Sequence, residues 1–232
     1  MSIEKIGNYR SFKTNIQKDY RKIKFSKQEQ EYLNLYKSKV NYADKKPITW
    51  KMKRAVDVAS GIFGLLVSSP IIAVAAIAIK TESKGPVLFK QMRIGKDGKP
   101  FNIYKLRTMY HKETNEGQNV LSPDDKRITK VGKVLRKYSI DELPQFYNIL
   151  KGDMSLIGPR PLSFYAHSEA KNYPEFSGRY AIKPGIKLNY GKIETPENRF
   201  SVEKEYMENW SPKKDIKTLF SLVKDVLSGN NY

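Results

Sequence analysis

From Val58 to Ile79 the chain runs 22 residues without a charged side chain, and Ser69-Pro70 sits near the middle of the run. At ~1.5 Å per residue a helix of that length reaches about 33 Å, enough for a hydrocarbon core of roughly 30 Å. Length alone suggests a crossing, but the flanks argue otherwise. Lys51, Lys53 and Arg54 precede the run and Lys80 and Lys84 follow it, and cytoplasmic flanks are the ones that collect basic residues. Pro70 has no amide hydrogen and clashes with the carbonyl four residues back, so a break is expected at Ser69-Pro70, with Ser68 or Ser69 satisfying freed carbonyls. A bent helix that enters and leaves by one face is favoured over a simple crossing, and both over a buried core helix.

The 232 residues carry a net charge of +19, which calls for a polyanionic partner: nucleic acid, anionic lipid or a phosphorylated substrate. The absence of cysteine removes disulfide frameworks, thiolate zinc sites and Cys nucleophiles. The apolar run begins too late for a cleaved signal peptide. Residues 1–46 hold seven more basic than acidic side chains and read as a basic accessory segment, either a solvated arm or a contact for lipid headgroups. Residues 47–84 are read as the membrane segment and 85–232 as the remaining domain.

Within that domain Asp97-Gly98 separates two stretches rich in β-branched and aromatic residues, which predicts a hairpin. Residues 111–121 read as a loop. Ser122-Pro123-Asp124-Asp125 supplies an N-cap, a proline at the first helical position and early acids, predicting a helix over about 123–137. A second helix is expected from about Asp141 to Lys151, with Pro144 in its first turn and Gly152 just past its end. The last is expected over about 212–228, with Ile216, Leu219, Phe220, Val223, Val226 and Leu227 on one face, packed on the core or lying in the headgroup layer.

The densest chemistry lies in RKYSIDELPQFYNILKGDMSLIGPRP, residues 136–161. Asp141 and Glu142 stand at the expected helix start, where free amides and the macrodipole would hold a carboxylate ionised and bind phosphate oxygens. An ionised Asp can attack phosphorus or hold a metal ion, and it can equally serve as a plain helix cap. Arg136 would neutralise a phosphate beside the pair, or else lie solvated at a helix end. Arg160, between Pro159 and Pro161, loses little entropy on gripping an anion. His111 and His167 lack metal-ligand spacing. Nucleic acid is not expected as a partner, since no recognition module or basic stripe with interleaved aromatics is present.

In order and spacing, KRAVDVASGIFGLLVSSP, FKQMRIGKDGKPFNIYKLRTM, SIDELPQFYNILKGDMSLIGPRP and IKPGI resemble the bacterial sugar transferases, the monotopic polyprenyl-phosphate phosphoglycosyl transferases. The resemblance covers about residues 51–228. It implies a re-entrant membrane helix bent at Ser69-Pro70 and an active site on the cytoplasmic face of the bacterial cell membrane. It also implies transfer of a sugar 1-phosphate from a UDP-sugar to undecaprenyl phosphate, releasing UMP and initiating a surface glycan such as capsule or exopolysaccharide. By resemblance Asp141 is the nucleophile of a covalent phosphosugar intermediate. Glu142 then handles the acceptor phosphate or Mg²⁺, Asp141 is a Mg²⁺ ligand, Arg136 contacts phosphate, and Pro159, Arg160 and Pro161 belong to the nucleotide site.

Two departures stand out. After Pro184-Gly185-Ile186 the chain reads KLNYGKIE, where the family usually has Thr-Gly followed by Trp or Leu, and Glu203 stands where an Asp is usual. The fold expected is α/β (α+β): a small irregular catalytic domain of short helices with a minor β-hairpin, attached to the re-entrant helix and to amphipathic interfacial helices, with anionic membrane lipid as a further partner. The rival reading is a basic, membrane-anchored binding or scaffold protein without catalysis.

Overall fold

The computed structural model describes residues 24–40, 47–110, 125–170, 173–188 and 196–228. The expected loop at 111–121, the Ser122-Pro123-Asp124 cap, most of the KLNYGKIE departure and the first 23 residues lie outside these.

The expected hairpin forms: β1 (Leu88–Ile94) pairs antiparallel with β2 (Pro100–Leu106), Ile94 opposite Pro100. Asp97 at φ 58° and Gly98 at φ 71° make the reversal. On β2, Phe101 and Ile103 alternate inward, as a half-buried strand requires. A second, parallel pair was not foreseen. β3 (Ser155–Ile157) lies beside β4 (Gly185–Lys187), so close that a Cβ on Gly185 would stand 2.1 Å from the Gly158 nitrogen.

The accessory segment supplies a packed helix, α1 (Lys27–Val40). Ser26 and Glu29 cap its start reciprocally, the Ser26 amide donating to Glu29 Oε2 at 2.7 Å and the Glu29 amide to Ser26 Oγ at 3.2 Å. Leu33 and Tyr36 are buried in the main core. Tyr36 sits over Gly178, in a 3₁₀ segment spanning Pro174–Ala181, where a Cβ would lie 2.2 Å from the Tyr36 ring. Residues 24–40 are thus part of the folded body and not a solvated arm.

The apolar run lies in one 36-residue helix, α2 (Pro47–Glu82). It stays helical through Ser69-Pro70, so the expected break is no interruption. Ser69 Oγ donates to the Leu66 carbonyl at 2.9 Å, the acceptor that Pro70 leaves without its amide partner. Both ends of α2 are tied to the same body. At the first end, Arg54 donates to the carbonyls of Ile149 and Leu150 (2.8 and 2.9 Å), and Asp57 accepts from Ser155 Oγ and the Leu156 amide, both at 2.9 Å. At the other, Ala75 and Ile79 pack with Leu106 and Leu135, while Arg107 donates to the carbonyls of Ser83 and Lys84. Between them Phe63, Leu66, Val67, Val74 and Ile77 are exposed.

α3 (Lys130–Lys137) starts seven residues later than predicted. Asp125–Ile128 instead form a turn, closed by the Ile128 amide donating to the Asp125 carbonyl at 2.9 Å, and Ile128 bridges to Met109. Thr129 then caps the helix by accepting from the Gly132 amide at 2.8 Å, and Glu82 at the end of α2 accepts from the amides of Lys130 and Val131 (2.6 and 2.8 Å). Next come a single 3₁₀ turn over Ile140–Glu142 and α4 (Gln145–Lys151), which ends at Gly152 with φ 94°. α5 (Phe164–Ala170), α6 (Pro196–Glu208) and α7 (Pro212–Ser228) complete the described elements. α7 has the predicted bounds, and Ile216, Leu219 and Phe220 on its apolar face are exposed. Asp215 anchors it by accepting from Lys53 (2.6 Å), Tyr206 (2.8 Å) and Trp210 (3.0 Å).

Candidate active site

Ser139, at φ 54° after the end of α3, turns the chain into the 3₁₀ turn that carries Asp141 and Glu142. The acids therefore precede α4 and do not start it, Pro144 taking the cap position. The amides of Glu142, Leu143, Phe146 and Tyr147 are spent on carbonyls three residues back. A cradle of free helix-tip amides is not what surrounds Asp141; side-chain cations do that instead.

Lys105 on β2 points at the pair, its Nζ 2.7 Å from Glu142 Oε1 and 3.8 Å from Asp141 Oδ2. Arg160 grips Glu142 with both terminal nitrogens, NH2 on Oε1 and NH1 on Oε2 at 3.3 Å. Arg136 donates through Nε to Thr108 Oγ1 at 2.8 Å, and its charge bears on Asp141. The structure thus brings Arg136, Asp141, Glu142 and Arg160 together. Pro159 and Pro161 are buried on either side of the exposed Arg160, which fixes the base of that side chain. Ser69 and Pro70, in mid-α2, take no part.

Sequence reasoning missed three supporting groups. Lys105 was visible only as one lysine in the KLRTM run. Arg179 donates to the Arg160 carbonyl (2.8 Å) and to Glu203 (2.9 Å), a pair buried almost completely. Glu203, singled out as a departure, therefore holds the arginine that holds the Arg160 backbone. Thr108, which orients Arg136, gave no signal in the sequence.

The two acids are unlike. Burial pushes the Asp141 carboxyl above its ordinary value; Lys105 opposes this, and the Glu142 charge adds to it. Burial acts on Glu142 in the same sense, but Arg160 and Lys105 outweigh it and hold that carboxyl well below the usual range. No donor among the described residues hydrogen-bonds Asp141, whereas both Glu142 oxygens are committed. Asp141 therefore fits a divalent ion, which commonly takes one or two carboxylates plus substrate phosphates; Glu142 would first have to release a cation. Among the described residues no three acids or histidines cluster as a complete metal cage.

A buried carboxylate with one lysine and two arginines around it is an arrangement that can offset the charge of a phosphorylated group. The chain belongs to the bacterial sugar transferase family, whose sequence pattern matches residues 48–229. It is 40% identical over 190 residues to the UDP-glucose:undecaprenyl-phosphate glucose-1-phosphate transferase of Caulobacter vibrioides, covering 77% of this chain and 71% of that protein. It is 37% identical over 191 residues to the UDP-N-acetylgalactosamine-undecaprenyl-phosphate N-acetylgalactosaminephosphotransferase of Aeromonas hydrophila, covering 79% of this chain and 45% of that one. An uncharacterized sugar transferase of Bacillus subtilis, EpsL, is 40% identical over 185 residues, with 76% and 87% covered. The chain thus spans less than half the length of the Aeromonas protein and most of the other two.

Proposed function

We propose that the protein is a phosphoglycosyl transferase that moves a sugar 1-phosphate from a UDP-sugar to undecaprenyl phosphate at the cytoplasmic membrane face, releasing UMP. The asymmetry of the acid pair carries this reading. Asp141 is desolvated and free of hydrogen bonds among the described residues, as a carboxylate nucleophile should be. Glu142 is clamped by two cations and serves to position them.

In the first half-reaction an Asp141 oxygen attacks the phosphorus that bears the sugar; the bond from that phosphorus to UMP breaks and UMP leaves with the electron pair. In the second, an oxygen of undecaprenyl phosphate attacks the same phosphorus, the bond between that phosphorus and the Asp141 oxygen (an acyl phosphate) breaks, and the carboxylate returns. Neither step requires a net proton. Lys105, Arg136 and Arg160 offset the charge gathered on phosphorus. Mg²⁺ held by Asp141 and the substrate phosphates would neutralise further diphosphate charge. Because the donor leaves UMP behind before the acceptor arrives, the two anionic substrates need not share the site.

The membrane placement rests on α2. One face of α2 packs on the folded body along its length, through Asp57, Gly61, Gly64, Ser68, Ala75 and Ile79, while Phe63, Leu66, Val67, Val74 and Ile77 are exposed, an arrangement suited to a helix held with its body at one membrane face. The exposed apolar face of α7 suits the headgroup layer. A scaffold would have no need of a buried carboxylate surrounded by cations.

The test is purified protein with UDP-glucose and UDP-N-acetylgalactosamine, the two donors named for the relatives, scored for UMP. With donor alone, one equivalent of UMP per active site is expected, with a phosphosugar on Asp141. Turnover resumes when undecaprenyl phosphate is added. UMP that appears only when both substrates are present, or that persists in Asp141→Asn, would remove the covalent route. Cysteines placed at Lys51 and Lys84 should label from the same side of a sealed vesicle; opposite sides would sink the re-entrant reading.

A further inference from the structure

Beyond the far end of α4 lies a second charged cluster that the proposed reaction does not use. A cavity of about 500 Å³, a size typical of small-ligand sites, opens between the first end of α2, the hairpin turn, β3 and the residues leading into β4. Ile157, Ile182, Met207 and Trp210 give it an apolar floor. Its walls carry Lys37, Lys53, Arg54, Lys96 and Lys183 against only Asp57 and Asp97.

Most of these charges are committed. Lys37 pairs with Asp97 at 2.7 Å and Lys53 with Asp215 at 2.6 Å. Arg54 caps the C-terminal carbonyls of α4 and Asp57 holds β3. Lys96 and Lys183 form no ion pair among the described residues, although the charges of Asp57 and Asp153 reach Lys183. Lys183 is partly buried, close enough to Arg54 that a Cβ on Gly152 would lie 3.5 Å from its Nζ and 3.3 Å from the Arg54 guanidinium. Burial and the charge of Arg54, with Lys96 adding to them, lower its affinity for a proton more than Asp57 and Asp153 raise it, so an anion in the cavity would stabilise the charged form.

We propose that this cavity is a second phosphate site, separate from the Asp141–Glu142 pair, that takes a phosphate ester bearing an apolar group. The phosphate meets Lys96 and Lys183 and the apolar group lies on the Ile182–Trp210 floor. Its wall residues Lys53, Arg54 and Asp57 immediately precede Val58, where the uncharged run begins. On the membrane placement proposed above, the mouth lies at headgroup depth. The phosphodiester of an anionic membrane lipid and the phosphate of a soluble nucleotide share this chemistry, and the experiment separates them.

Amine acetylation of Lys96 and Lys183 in the full chain is measured by mass spectrometry against exposed Lys204, with phosphatidylglycerol vesicles, phosphatidylcholine vesicles, UMP or inorganic phosphate present. Protection by phosphatidylglycerol alone assigns a lipid headgroup; protection by UMP or phosphate assigns the soluble source. Lys96→Ala with Lys183→Ala should weaken phosphatidylglycerol binding, or UMP binding in the second case, roughly tenfold. Lys126→Ala with Lys204→Ala, the same charge loss elsewhere, should do far less, and Lys183→Arg should restore most of the affinity. Equal losses from the two double variants, or no protection by any of the four, overturns the proposal. Failure of the membrane reading is distinguishable: the chain would then bind neither vesicle type, whereas failure of the second site alone leaves vesicle binding intact and both lysines open to acetylation.

Discussion

The two ends of α4 carry opposite solutions to the same electrostatic problem. Before its first residue, Asp141 and Glu142 are enclosed by Lys105, Arg136 and Arg160, and the clamps on Glu142 close the cluster on itself. Past its last residue, Arg54 caps the carbonyls while Lys96 and Lys183 line a cavity without an ion-pair partner among the described residues. Cations at a helix end agree with the macrodipole, whereas the acids stand in the 3₁₀ turn before α4 and owe their setting to side-chain cations. Seven residues of helix span about 10 Å, so the arrangements stand close but do not merge. What separates them is pairing: Lys105 and Arg160 reach the front cluster from distant segments and close on Glu142, whereas two of the rear lysines form no ion pair among the described residues.

The comparison is broken most severely by Asp141→Asn. Sugar-phosphate transfer should fall by about 10³-fold or more, as expected when a nucleophile is removed, while the rear lysines still bind. The same change should stabilise the fold. A carboxyl whose folded pKa is raised contributes most at low pH and costs stability as pH rises through that value. The Asn variant should therefore melt higher than the parent at pH 7.5, with the gap closing below about pH 4. A variant that melts lower at neutral pH would mean that the ionised carboxylate is well solvated.

Glu203→Ala comes next. It leaves Arg179 buried and unpaired, which costs about 3–5 kcal/mol, and it loosens the Arg160 backbone, so activity should fall further than stability explains; Glu203→Asp should be milder on both counts. Gly64→Ala then probes the helix joining the two ends. Its Cβ would stand 2.5 Å from the Phe146 ring, an overpacking worth about 1–3 kcal/mol. Phe146→Leu in the same chain should recover part of that loss in a denaturant titration. The smallest effect is expected from Arg54→Gln, which weakens the cap on α4 by about 1 kcal/mol and should disturb the rear cavity while leaving UMP release from donor alone nearly intact.

The parts of the fold legible in the sequence are those fixed by neighbours. Asp97-Gly98 announces its hairpin, Gly152 its helix end, and Pro212 with the apolar spacing after it the last helix, because each signal lies within a turn of its effect. Asp141, Glu142 and Arg160 were legible because they share one 26-residue stretch with a strong resemblance. Lys105 and the Arg179–Glu203 pair come from elsewhere in the chain and meet the site only after folding. The β3–β4 pair joins three residues to three with no periodicity to read. α3 was mislocated because Thr129 and the Met109–Ile128 bridge override the cap signal at Ser122-Pro123. α1 was obscured by the basic surplus of residues 1–46 read as a whole, although Ser26-Lys27-Gln28-Glu29 spells its cap.

The shared family pattern begins at residue 48, yet Tyr36 plugs a slot walled by Gly178, Phe176 and Phe200. Trimming the chain to the family boundary would amputate that plug and leave an aromatic-lined notch open to solvent. Shortened molecules would then seek each other to close the wound, so any self-association they show would report the injury and say nothing of how the intact protein lives.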